Sequence, residues 1–353
     1  MEQKLIVSGS PHIREDVSIP KIMYSVVFAL LPALLGSVYF FGLRALFITA
    51  VAAASALGTE ALYQKVMKRP LTVRDGSALI TGMLLAYNLP VSSPLWLPLV
   101  GSFFAIFVAK QLFGGLGYNF INPALAGRAF LTASWPSIMT GGWTPPLRGT
   151  ISGIQSLTIT RLGLDTITSA TPLSLTREAM RVLTDPGSAQ GQVELARNAL
   201  QQLNQGGTLK NLFFGGVGGC LGETSAVLLL LGAAFLLIRG YIDWRIPLSY
   251  LAAVALLTGA LYPLGVTRVT PLFHLLAGGL ILGAFFMATD MVTSPVTPRG
   301  RWVFGIGCGI ITVLIRVWGG YPEGVSYSIL LMNVFTPLID RMTRPKKFGE
   351  ARR

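Results

Sequence analysis

Charge is scarce in this chain. Asp, Glu, Lys and Arg make up 12% of its 353 residues, while 52% are hydrophobic. A soluble domain carries about twice that share of charge, so an ordinary water-facing surface is excluded. Acid is scarcer than base, 15 against 28, which leaves a formal net charge of +13. Cysteine and histidine are scarcer still, two of each. Cys220 and Cys308 show neither C-x-x-C nor Cys/His spacing, and an iron–sulfur cluster takes about four such ligands. This chain alone therefore builds none; both cysteines read as small packing residues, or as contributors to a cluster shared with another subunit. His12 and His274 stand alone, without metal-ligand spacing. A P-loop, a G-x-G-x-x-G behind a strand and a nucleophile–base triad are all missing. Gly215-Gly216-Val217-Gly218-Gly219 is glycine-rich but leads into an apolar stretch, where close helix packing explains it better than phosphate binding.

What is present is apolar length. Runs able to cross ~30 Å of hydrocarbon recur along the chain. Ten segments are expected, at 22–41, 44–63, 76–90, 95–113, 122–135, 221–239, 246–263, 270–289, 302–317 and 324–339. The expected fold is an all-α polytopic membrane protein. Residues 1–21 are polar and lack the short apolar core and small-residue site of a cleavable signal. Ten crossings put both termini on one side, which also receives Lys65, Lys68, Arg69, Arg74, Arg239, Arg245, Arg299, Arg301 and the basic tail. The opposite side has Arg44, Arg268 and a long loop of six basic and four acidic residues. By the positive-inside rule, both termini are cytoplasmic in the inner membrane and the loop is extracytoplasmic. The basic excess is then a topology signal, and no nucleic-acid partner is expected.

A shift of 201 residues superimposes the halves: Arg44 on Arg245, Gly58 on Gly259, Gly82 on Gly283, Ser93 on Ser294 and Pro94 on Pro295. With five segments per half, the second copy enters the membrane upside down, giving two inverted five-helix repeats. The expected divisions are a cytoplasmic segment 1–21, a first repeat 22–135 and an extracytoplasmic loop 136–220. A second repeat 221–340 and a basic cytoplasmic tail 341–353 follow. The short third, fifth and eighth segments, broken at Asn88-Leu89-Pro90, Asn119-Phe120-Ile121-Asn122-Pro123 and Thr289-Asp290, point to where ligands bind.

Charges inside apolar segments are candidates for function: Glu60, Lys110, Arg128, Glu223 and Arg316. Lys110 and Arg316 lie near segment ends and could snorkel. Arg128, behind Asn122-Pro123, either holds an anionic cofactor group or pairs with a carboxylate. Asp75 and Asp290 either help coordinate a cation, which would put Asp290 on an ion path, or cap helices. In the long loop, Asp165-Thr166-Ile167-Thr168-Ser169-Ala170-Thr171-Pro172-Leu173 gathers hydroxyls beside an acid. Its plain reading is a turn or a helix cap.

These residues carry a resemblance. Asp75-Gly76-Ser77-Ala78-Leu79-Ile80-Thr81-Gly82, Phe113-Gly114-Gly115-Leu116-Gly117, Asn122-Pro123-Ala124 and Gly222-Glu223-Thr224-Ser225-Ala226 occur in order. Phe286-Met287-Ala288-Thr289-Asp290 through Pro295 and Gly319-Gly320-Tyr321-Pro322-Glu323-Gly324 follow. From about Pro11 to Gly349 the chain resembles the RnfD/NqrB family of membrane proteins, nearer to the RnfD branch by length. The resemblance implies FMN joined by a phosphoester to the last threonine of a Ser/Thr-Gly-Ala-Thr motif. That residue is Thr171, with Thr168, Ser169 and Ala170 before it and Asp165 at the motif's start. Ser169 stands where the family usually has Gly. A second, non-covalent flavin such as riboflavin is also implied.

So are partners: RnfA, RnfB, RnfC, RnfE and RnfG of an Rnf complex, and a flavin transferase for maturation. The implied activity is that of a translocase component passing electrons from ferredoxin toward NAD, coupled to Na⁺ or H⁺ movement. The NAD and ferredoxin sites would lie on other chains of the complex. The repeat alone would equally suit a secondary transporter with no redox role.

Overall fold

The computed structural model describes residues 18–141, 143, 146, 171–321 and 323–345. Asp165, Thr168, Ser169, Ala170, His12 and the basic tail from residue 346 lie outside them. Among the described residues all regular structure is helical, with one isolated bridge between Pro90 and Cys220. In chain order the helices are α1 Ile19–Phe41, α2 Leu43–Val66, α3 Ser77–Tyr87, α4 Trp96–Ile106, α5 Pro123–Ser134 and α6 Pro136–Gly141. Next come α7 Pro172–Thr184, α8 Gln190–Leu203, α9 Gly206–Phe214, α10 Ala226–Ile238 and α11 Arg245–Leu261. The last are α12 Pro271–Leu276, α13 Leu280–Leu282, α14 Pro298–Trp318 and α15 Val325–Met342. Three of these, α1, α2 and α14, are long and apolar enough to cross a membrane. The helices α3, α10, α11 and α4 with its extension to Gln111 are shorter and apolar.

A repeated dipeptide sets several helix starts. Asn122, Thr171, Thr270 and Thr297 each precede a proline, and each side chain accepts a hydrogen bond from a first-turn N–H. Proline at the first helical position lacks an N–H that would be idle there anyway. Other segments are interrupted. The segment expected as one helix over 270–289 is broken into α12, α13 and a wide i→i+5 turn, Gly283–Met287. A second wide turn, Phe107–Gln111, continues α4. Such turns concentrate where a helix has been reshaped for a site.

Small residues allow the helices to approach. A Cβ on Gly232 of α10 would collide with the Ala29 carbonyl of α1. One on Gly82 of α3 would lie 2.7 Å from Ala53 Cα of α2. Gly305 and Gly309 of α14 bring it against Ile246, Tyr250 and Ala253 of α11. This close backbone packing suits an apolar surround, where dispersion rather than water expulsion holds helices together.

The segment expected as one long loop is not all loop. Residues 172–214 supply α7, α8 and α9, whose Leu173, Ala179, Ala196, Leu200, Leu203 and Leu212 pack with Val269, Phe273 and Ala277 as a second core. Leu173, Thr176, Ala179, Met180 and Leu183 follow helical spacing, a signal that composition alone does not reveal.

Candidate functional site

Buried charge in the bundle is organised into two clusters. The first is centred on Arg128 of α5, only 7% exposed. One guanidinium nitrogen donates to Asn88 Oδ1 at 2.7 Å and to Ser326 Oγ at 2.9 Å. The other forms an ion pair with Glu323 and approaches Cys220 Sγ at 3.8 Å. Cys220 in turn donates to the Asn88 carbonyl at 3.3 Å. Residues from both halves of the sequence therefore meet at one arginine. Of the two roles open to Arg128, the structure shows pairing with a carboxylate. Glu323 carries little signal of its own, because it lies in the turn before α15, outside the apolar segments. A lone mid-segment arginine is the signal that a carboxylate is needed.

Thr171 sits beside this cluster. It is 5% exposed, and its Oγ1 accepts from the Ser174 N–H at 3.1 Å while lying 2.7 Å from Ser174 Oγ. The plain reading of the threonine as a helix cap is therefore correct. Thr171 also lines a small cavity with Gly219, Glu223, Gly278 and Glu323. Arg128 and Thr171, singled out for unrelated reasons, thus share Glu323 as a neighbour: the arginine pairs with its carboxylate and the threonine lines a cavity with it. The position at the start of a 13-residue helix is chemically specific. Free N–H groups and the helix dipole favour an anion on that oxygen, and a phosphate there would accept the bonds the hydroxyl now takes.

The second cluster lies between α2, α3 and the wide turn Phe107–Gln111. Lys110, 2% exposed, donates to Glu60 Oε1 at 2.9 Å and Ser77 Oγ at 2.7 Å; Gln111 joins Glu60 at 2.8 Å. Lys110 is therefore paired inside the protein and does not snorkel. Arg316 does not either: it donates to the carbonyls of His274, Ala277 and Glu323. A cavity of about 110 Å³ opens between Lys110, Ser77, Asn119, Asn122, Phe286 and Asp290. Both wide turns face it. Asp290 accepts from the Val292 N–H and the Thr293 hydroxyl in the turn that follows the wide turn Gly283–Met287, and Asp75 from the N–H and hydroxyl of Ser77 at the start of α3, so both are satisfied by local turn bonds. Mostly apolar walls with a few convergent polar groups are the usual lining of a small-molecule site.

Long apolar helices, close glycine packing and buried charges satisfied from within define a helical membrane protein with interior polar sites. The chain belongs to the NQR2, RnfD, RnfE family, whose profile matches residues 6–349. Over 348 residues it is 48% identical to the D component of the Na(+)-translocating ferredoxin:NAD(+) oxidoreductase complex of Acetobacterium woodii, covering 99% of this chain and 96% of that one. It is 44% identical over 347 residues to the D component of the proton-translocating ferredoxin:NAD(+) oxidoreductase complex of Clostridium ljungdahlii, at 98% and 96% coverage. With the D component of the ion-translocating oxidoreductase complex of Stutzerimonas stutzeri it shares 41% over 346 residues, at 94% and 92%.

Proposed function

We propose that this chain is the flavin-carrying membrane component of an Rnf-type ferredoxin:NAD oxidoreductase, with FMN joined through a phosphoester to Thr171. The near full-length match to the D components of such complexes carries the reading. The capping geometry of Thr171 supports the attachment point. Its oxygen already accepts from the Ser174 N–H, at the start of α7, where a phosphate would meet free N–H groups and the positive end of the helix dipole. Bound there, FMN would supply electron transfer, and the tether would prevent its loss. Asp165, Thr168, Ser169 and Ala170 are the residues the transferase would read. Arg128 in this reading acts on the site through Glu323, whose carboxylate it pairs and neutralises beside Thr171.

A second, non-covalent flavin such as riboflavin completes this reading. The architecture in this reading is ten crossings in two inverted five-helix repeats, with both termini in the cytoplasm. The ion carried is Na⁺ or H⁺, since the named relatives differ on this point. Partners would be RnfA, RnfB, RnfC, RnfE and RnfG, and a flavin transferase.

The test is in-gel flavin fluorescence after denaturation of protein made together with its transferase. A fluorescent band should appear for the unmodified chain and vanish for Thr171→Ala, and the peptide holding Thr171 should gain the mass of an FMN phosphoester. An unmodified chain without fluorescence sinks the electron-carrier reading and favours a transporter without redox role.

A further inference from the structure

A cavity of about 730 Å³ lies between α7, the turn before α12 and the C-terminal end of α14. Its lining includes Arg177, Arg181, Arg268 and Arg316, and no carboxylate among the described residues. Arg316 and Arg177 donate only to backbone carbonyls there, so neither charge is neutralised by an ion pair among the described residues. Two further polar side chains line the same cavity without a partner. Among the described residues, neither ring nitrogen of His274, 3% exposed, has a hydrogen bond, and the hydroxyl of Thr267, 6% exposed, has none. Buried polar groups are almost always bonded, and each orphan costs about 1–3 kcal/mol. Four guanidinium groups, an imidazole and a hydroxyl around one space make a donor set for an oxyanion.

We propose that this cavity binds the phosphate of an anionic amphiphile. Phosphate oxygens would accept from the rim arginines, the His274 ring N–H and the Thr267 hydroxyl together, supplying what the orphaned groups lack. The apolar part has its own wall in Met180, Val266, Val317 and Trp318. Trp318 is 63% exposed at the end of a membrane-length helix, where interfacial tryptophan is expected. Thr171 does not line this space, so the inference stands apart from flavin attachment.

The test uses the full chain in phosphate-free detergent, titrated calorimetrically with dihexanoyl phosphatidylglycerol, dihexanoyl phosphatidylcholine and inorganic phosphate. Phosphatidylglycerol should bind saturably at one site, at least tenfold more tightly than phosphatidylcholine. Arg181 and Arg268 are exposed, so Arg181→Gln with Arg268→Gln leaves the packed core untouched. That double variant should weaken binding at least tenfold, and Thr171→Asn, which keeps the cap of α7, should leave it unchanged. Competition by inorganic phosphate at millimolar concentration identifies a free anion as sufficient, and its absence identifies the lipid; both uphold the site. His274→Leu should weaken binding while raising the melting temperature of the ligand-free chain, because it removes an unpartnered imidazole. Absence of saturable binding by both phosphatidylglycerol and inorganic phosphate, equal affinity in the double arginine variant, or loss of binding in Thr171→Asn would overturn the proposal.

Discussion

At the scale of single residues, the proposed flavin attachment gives Thr171 a second duty, separable from capping. As a cap it is worth about 1 kcal/mol, and asparagine caps at least as well as threonine. Asparagine, however, has no hydroxyl to esterify. Thr171→Asn should therefore keep a melting temperature close to that of the unmodified chain yet show no covalent flavin in the gel. Thr171→Ala should lose both. A fluorescent Thr171→Asn band would place the attachment elsewhere. Lys110 and Glu60 test a different point. Removing one member of a buried pair leaves the other charge stranded, at about 3–5 kcal/mol, whereas removing both costs far less. Lys110→Met should accordingly unfold much more readily in detergent, and adding Glu60→Gln should recover at least half of the loss. Additive losses would show that the two do not act as a pair. Arg128 was legible in the sequence because an arginine behind Asn122-Pro123 in an apolar run has no water to face. Its partner was not, because Glu323 joins it only through folding, 195 positions away.

At the scale of helices, glycine position separates packing from propensity. Gly58 of α2 has open space where a Cβ would go, so Gly58→Ala should stabilise by about 0.5–1 kcal/mol through helix propensity. Gly309 of α14 has the Tyr250 carbonyl 2.9 Å from that point, so Gly309→Ala should destabilise by about 1–3 kcal/mol. Thermal unfolding in detergent should give opposite signs for the two. A polar clasp joins α11 and α14 at their starts: Asp243 accepts from the Arg245 N–H at 2.8 Å and pairs with the Arg245 and Arg301 guanidinium groups. Partial burial pushes its carboxyl up, but those donors together outweigh it and hold it below the usual carboxylate range. A lowered value means the clasp stabilises fully above about pH 4 and fades as pH falls further. The stability advantage over Asp243→Asn should thus shrink as pH falls from neutral into that acid range; a constant difference would contradict the assignment. Helix starts such as Asn122-Pro123 could be read directly, since cap and proline are local signals. The division of 270–289 could not, because Gly278, Gly279 and Gly283 permit either a break or a packed helix and tertiary contacts choose. Helices α7 to α9 were hidden for another reason. Their sparse apolar residues match a loop in composition and reveal helix only in their spacing.

At the scale of the whole molecule, the 201-residue shift makes a geometrical claim that helix assignments alone do not settle. Met67, just after α2, and Arg268, before α12, are equivalent under that shift and are both exposed. Two repeats related by a simple copy would put these residues on the same side of the membrane. The proposed odd number of crossings per repeat would put them on opposite sides, and by the positive-inside rule the clustering of Lys65, Lys68, Arg69 and Arg74 around Met67 would make that one cytoplasmic. The chain is suited to the measurement, because Cys220 and Cys308 are 1% and 0% exposed and should react little. Met67→Cys and Arg268→Cys, each placed singly in sealed right-side-out vesicles, should therefore behave differently toward a membrane-impermeant maleimide. Arg268→Cys should label at once and Met67→Cys only after the vesicles are opened. Labelling of both from one side would rule out the inverted arrangement, and with it the placement of Thr171 opposite the chain termini. Labelling in the reverse order would keep the inversion and turn the molecule over, moving Thr171 to the cytoplasmic face.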